Sequence, residues 1–130
     1  MKKVLFVCVE NAGRSQMAKA FAKHYGKGKV EAMSAGTVPS DGINPIVVEV
    51  MKEKGIDISK NKPKPIDMKK VEEADLMITM GCGAQDVCPA PLKKETIDWP
   101  LEDPKGKTIE EVRKIRDRIE RKVLKLIAQF

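Results

Sequence analysis

Cys8-Val9-Glu10-Asn11-Ala12-Gly13-Arg14-Ser15 places a cysteine five residues ahead of an Arg-Ser pair, where an apolar run gives way to a helical pattern. These residue types suit nucleophilic displacement at a tetrahedral oxyanion. A loop that feeds a helix N-terminus aims successive backbone N–H groups at one point. The amides of Val9, Glu10, Asn11, Ala12, Gly13 and Arg14 are therefore expected to form an anion cradle, aided by the helix dipole. Arg14 can grip two oxygens through its planar fork. The dipole and Arg14 hold a cysteine at the rim of such a cradle as the thiolate, the nucleophilic form. Ser15 is placed to hydrogen-bond the Cys8 sulfur and to stabilise it as a leaving group, and Gly13 permits the tight backbone. Glu10 is the discordant residue, because a carboxylate facing Cys8 opposes the thiolate. With the amides turned inward, Glu10 is expected to point out.

The flanking elements follow from hydrophobic periodicity. Lys2 to Cys8 reads as a strand buried on both faces, and a helix runs from Arg14 to about Gly26 with Met17, Ala18, Ala20 and Phe21 on one side. Val30 to Ser34 is a second strand closed by Gly36, and a helix from Pro45 stops at Gly55. Ser59 to Pro65 is a lysine- and proline-rich loop, and Val71 to Ala74 closes a short helix. Leu76 to Met80 is an apolar strand, Gly81 to Lys94 an irregular loop, and Thr96 to Trp99 a short strand. Thr108 and Glu111 form a capping box, after which Ile109, Val112, Ile115, Ile119, Val123 and Leu126 define one buried helical face. Strands alternating with helices imply an α/β fold with right-handed crossovers and a parallel sheet flanked by helices.

Residues 1–130 have room for one domain and show no internal repeat or linker. The apolar run after Lys2-Lys3 is too short for a signal peptide, and nothing approaches a bilayer span, so a cytoplasmic protein with no membrane association is expected. The net charge is +6, but aromatics are only 4% and the C-terminal basic residues alternate with acids. That reads as a solvated face rather than a nucleic-acid platform. A mild positive field suits an anionic substrate. The three cysteines, Cys8, Cys82 and Cys88, are an odd number for a disulfide framework, which leaves reactive thiols, buried small residues or a metal site. Zinc wants four ligands, and His24 alone remains beyond the cysteines, on a helix where a surface position is expected. Neither metal nor cofactor is expected.

Cys8 to Ser15, with Gln16-Met17-Ala18 after it, resembles the active-site loop of the low-molecular-weight protein tyrosine phosphatases and of the thioredoxin-coupled arsenate reductases related to them. Ser34-Ala35-Gly36, Asn44-Pro45 and Gly55-Ile56-Asp57-Ile58-Ser59 resemble further shared segments, so the likeness runs through essentially the whole chain. It implies a four-stranded parallel sheet flanked by helices on both faces. Asp103-Pro104 alone reads as a turn. The resemblance implies that Asp103 is the general acid protonating the departing oxygen.

Cys82 and Cys88 separate the branches of this superfamily. A phosphatase needs one cysteine, whereas a reductase must supply two electrons. The resemblance implies that arsenate condenses with Cys8, that Cys82 attacks the Cys8 sulfur, and that Cys88 carries the disulfide outward to thioredoxin. A helix from Cys82 to Cys88 would separate their Cα atoms by about 9 Å, beyond the roughly 7 Å that a disulfide spans. The segment is therefore a loop or must unwind during the relay. The alternative is a low-molecular-weight phosphatase working through phosphocysteine, but Lys105 stands where such phosphatases place an aromatic residue. A non-catalytic thiol-based arsenite or metal binder gives no reason for Arg14, Ser15 or Asp103. Relatives often have one more residue between the second and third cysteines. Lys19 stands where some relatives carry a potassium-binding glutamate, so no potassium requirement is expected.

Overall fold

The computed structural model describes residues 1–80 and 95–130. Four strands, β1 (Lys2–Cys8), β2 (Val30–Gly36), β3 (Leu76–Thr79) and β4 (Glu95–Asp98), form one parallel sheet in the order β2-β1-β3-β4. The helices are α1 (Arg14–Tyr25), α2 (Pro45–Lys52), α3 (Met68–Glu73) and α4 (Ile109–Ile127). This is the α/β architecture expected from the sequence.

The unbroken apolar run of β1 is explained by its central place, where both faces are covered. Val4, Phe6 and Cys8 face a core shared with Met17 and Phe21 of α1, Val47 and Met51 of α2, and Ile115 and Ile119 of α4. Leu5 and Val7 face a smaller core with Val71 of α3. Strand β2 continues two residues past the expected end at Ser34, because Ala35 and Gly36 stay in register with Val7 and Cys8. Strand β4 begins one residue early, and Trp99 follows it, donating its N–H to the Thr79 carbonyl at 2.7 Å and tilting its ring against Phe6. Thr108 caps α4 by accepting the Glu111 N–H at 3.3 Å while its hydroxyl donates to the Glu111 carboxylate. Among the described residues no helix is long and apolar enough to cross a membrane.

Helix α4 is tied to α2 through Arg116, which is 7% exposed and donates to the Val50 carbonyl at 2.9 Å and to Glu53 Oε1 at 2.6 Å. Arg113 donates to the same carboxylate, at 2.7 Å. Hydrogen bonds from Arg113 and then Arg116 pull the Glu53 carboxyl from an ordinary 4.5 to about 2. A carboxylate depressed in the folded state stabilises above its unfolded value and loses that contribution as pH falls through the folded one. Glu53→Gln is therefore expected to lower the melting temperature at neutral pH. The gap from wild type should narrow as pH drops from 4.5 toward 2. Thermal melts across that range check this, and a gap independent of pH would refute it.

Candidate active site

The loop 9–13 joins the C-terminal end of β1 to the start of α1, the position at which open parallel sheets bind ligands. Its carbonyls are turned outward. Those of Cys8, Val9, Glu10 and Ala12 accept from the N–H groups of Thr37, Val38, Ser40 and Asn44 at 2.8–3.1 Å. With the carbonyls committed, the N–H groups of Glu10, Ala12 and Gly13 find no protein acceptor among the described residues. Gly13, the N-cap of α1, has no side chain to cap the helix, so its first turn is open to an anion.

Two donors converge on the Cys8 sulfur, the Asn11 N–H at 3.3 Å and Ser15 Oγ at 2.9 Å. The surrounding network leaves Ser15 free to act as the donor in the second contact. The Lys64 N–H can only donate, and it reaches Asn11 Oδ1 at 2.9 Å, which identifies the oxygen of that amide. Asn11 Nδ2 therefore donates to Ser15 Oγ, at 2.6 Å, leaving the single Ser15 proton for the sulfur. Both donors are of the kind that stabilise sulfur carrying negative charge, whether as nucleophile or as leaving group.

Asn11 is the residue whose importance the sequence did not reveal. It is fully buried and, among the described residues, is the only non-glycine with positive φ, at 52°. Such a conformation persists where the surroundings over-determine it. Here Asn11 Oδ1 also accepts from Gln16 Nε2 at 3.0 Å, and Gln16 in turn meets Asn61 and the Lys62 carbonyl. The lysine-rich loop is thereby stapled to the back of the 9–13 loop. Gly36 belongs to the same arrangement. A Cβ there would lie 2.6 Å from the Val9 carbonyl oxygen and 2.9 Å from the Asn11 nitrogen, so only glycine lets the cradle approach β2.

Arg14 is 5% exposed and donates from Nη1 to the carbonyls of Met80 and Leu101, at 2.8 and 3.0 Å. Its Nη2 lies 3.7 Å from Asp103 Oδ2. One nitrogen is spent on positioning, and the rest of the planar fork faces the cleft. Asp103 is half-exposed, and its Oδ1 accepts the Lys105 N–H at 3.0 Å. Pro104 packs so closely on the cradle that a Cβ at Gly13 would lie 2.6 Å from its ring. Cys8, Gly13, Arg14, Asn44 and Asp103 thus share one cleft of about 380 Å³.

Glu10 directs its carboxylate to Lys105 Nζ at 3.0 Å, and this contact holds the Lys105 ammonium above its usual range. Lys19 is half-buried, and its ammonium is pulled down by burial and then by Lys23, Lys64 and Lys70. His24 is exposed, edge-on to Tyr25 at 4.9 Å. Among the described residues no group of three or more side chains is placed to hold a metal. Cys82, Cys88 and the expected relay geometry lie outside the described residues.

Arg14→Lys keeps the charge and loses the fork. We expect kcat/KM for an oxyanion substrate to fall about 10²-fold, the scale of losing one oriented donor. Steady-state kinetics beside a thermal melt separate that loss from unfolding, and near-wild-type kinetics would show that the fork is not used.

Residues 3–130 match the family model described as low molecular weight phosphotyrosine protein phosphatase. The chain is 40% identical to a glutaredoxin arsenate reductase of Synechocystis, over 100% of this chain and 99% of that protein. It is 39% identical to an arsenate reductase of Halalkalibacterium halodurans, over 94% of this chain and 92% of that protein. A solved arsenate reductase in its phosphate-binding state superposes with a TM-score of 0.90 at 40% identity, covering 99% of this chain and 98% of that one. A thioredoxin-dependent arsenate reductase of Corynebacterium glutamicum superposes with a TM-score of 0.80 at 43% identity, covering 99% of this chain and 63% of that one.

Proposed function

We propose that this chain, which belongs to the low molecular weight phosphotyrosine protein phosphatase family, reduces arsenate to arsenite and is regenerated by a dithiol reductant of the thioredoxin class. The observation that carries the reading is the Cys8 sulfur, held by the Asn11 and Ser15 donors beside Arg14 and Asp103 in one cleft. Similarity to arsenate reductases over nearly the whole chain supports it.

In the first step the Cys8 sulfur attacks arsenic, and Asp103 passes a proton to the departing oxygen, which leaves as water. The cradle amides and Arg14 carry the remaining oxygens. Cys82 then attacks the Cys8 sulfur. The S–As bond breaks with its electron pair going to arsenic, so As(V) becomes As(III) and the two sulfurs are oxidised to the Cys8–Cys82 disulfide. Ser15 stabilises Cys8 when Cys88 attacks Cys82 and expels it as thiolate. The dithiol reductant takes up the Cys82–Cys88 disulfide.

Residues 1–130 act as one catalytic domain in this scheme, and the reducing cytoplasm is its compartment. The same cradle and acid favour slow phosphomonoester hydrolysis. Lys105, a lysine where an aromatic ring would receive an aryl substrate, argues against that as the main activity.

The test is arsenate-dependent NADPH oxidation in the presence of thioredoxin and thioredoxin reductase, with glutathione and glutaredoxin in a parallel arm. Sustained turnover in the first arm supports the proposal. Turnover confined to the second moves the reductant to the glutaredoxin class. No arsenate turnover with brisk p-nitrophenyl phosphate hydrolysis identifies a phosphatase.

A further inference from the structure

The cleft that holds Cys8 is lined by the cradle loop, by the 40–45 segment and by the segment carrying Asp103, and the first and last of these meet at two levels. Deep in the cleft, the Pro104 ring packs on Gly13 so closely that no side chain fits between them. At the rim, the Glu10 carboxylate and the Lys105 ammonium close to 3.0 Å. Glu10 is one-third exposed and Lys105 about three-quarters, so the deep contact is fixed packing while the rim contact lies in solvent. Lys105 is nevertheless not placed at random, since its N–H is bonded to Asp103 Oδ1 at 3.0 Å. The residue that closes the rim is thereby anchored to the proposed acid.

We propose that the Glu10–Lys105 ion pair is a gate that selects bare tetrahedral oxyanions over oxyanions bearing a bulky organic substituent. A bare oxyanion sits wholly within the cradle, whereas an aryl group extending toward the Asp103 side of the cleft displaces the pair at the rim. An exposed ion pair is easily opened, so the gate biases selection without forbidding larger ligands. The pair also has an electrostatic side. An uncompensated carboxylate at position 10 repels any anion in the cradle, and Lys105 cancels it. The gate deepens the functional reading in resting on an oxyanion-binding cleft, but it does not depend on arsenate being reduced.

The experiment compares affinities for inorganic phosphate and phenylphosphonate by titration calorimetry at mildly alkaline pH, where both are dianions. The proteins are wild type, Lys105→Ala, Glu10→Ala, the double variant and Lys105→Arg. Lys105→Ala should weaken both ligands and Glu10→Ala should strengthen both, because the charge left behind differs in sign. The ratio of phenylphosphonate to phosphate affinity should nevertheless rise in both, by about threefold, the scale of an exposed pair. The double variant should match the single variants in that ratio, and Lys105→Arg should keep the wild-type ratio. Higher salt should move the wild type toward the variants. A ratio unchanged in both alanine variants overturns the gate and leaves a purely electrostatic pair. If neither ligand binds any form, the oxyanion site itself is wrong and the gate falls with it.

Discussion

Cys8→Ser should eliminate arsenate reduction and phosphomonoester hydrolysis together, each by about 10⁴-fold or more, the scale on which loss of a nucleophile costs rate. One substitution ends both because both begin with the same sulfur. The exchange leaves the surroundings nearly intact. A serine oxygen would lie between the same two groups, the Asn11 N–H and the Ser15 hydroxyl, in a site that is 2% exposed. The variant should therefore fold and bind inorganic phosphate with an affinity close to that of wild type, since the cradle amides and Arg14 are untouched. Rates and phosphate binding measured on one preparation separate lost chemistry from lost structure. Appreciable turnover by this variant would remove Cys8 from the mechanism.

Cys82→Ser and Cys88→Ser should both stop multiple turnover with arsenate while phosphomonoester hydrolysis continues, because hydrolysis needs no electrons. They should stop it at different points. Without Cys82 nothing attacks the Cys8 sulfur, so no arsenite is released. Without Cys88 a single arsenite per chain is released and the protein is trapped as the Cys8–Cys82 disulfide. Rapid-quench arsenite assays with intact-mass measurement, which reads the loss of two hydrogens per disulfide, distinguish the two. Equal and unimpaired turnover in both variants would sink the relay and leave these thiols outside the mechanism. A disulfide between residues six apart is incompatible with a helix, so the Cys82–Cys88 segment should be non-helical in the oxidised form.

Much of the fold was legible because its signals are local. The unbroken apolar run of β1 implied burial on both faces, and its central place in the sheet supplies the reason. The three-four spacing of α4 and its Thr108 cap required no knowledge of the rest of the chain. The bounds differ by one to three residues: β2 runs on to Gly36, β3 stops at Thr79 rather than Met80, β4 spans Glu95–Asp98 rather than Thr96 to Trp99, and α2 ends at Lys52, ahead of Gly55. Strand ends are settled by the partner strand, and the register with β1 carries β2 on to Gly36.

The site divides along the same line. Cys8, Arg14 and Ser15 lie within one eight-residue stretch, and the loop-to-helix turn that brings them together is written in those few residues. In the sequence Asn11 is one cradle amide among six, because its partners Gln16 and Lys64, and the Asn61 contact to Gln16, are assembled only by the chain passing behind the cradle. The fork of Arg14 is aimed by carbonyls 66 and 87 residues away. The expectation that Glu10 turns outward followed from the inward-facing amides. That it meets Lys105, 95 residues on, did not.

By itself the sequence determined the order of elements, the cradle motif and the residue types available for chemistry, since these depend on short-range periodicity and steric preference. Only the tertiary structure decided how Asp103 and Lys105 meet the cradle, why Gly36 must be glycine, and how Asn11 is tied to the chain behind it. Those depend on close approach between distant segments, and no local rule encodes such distances.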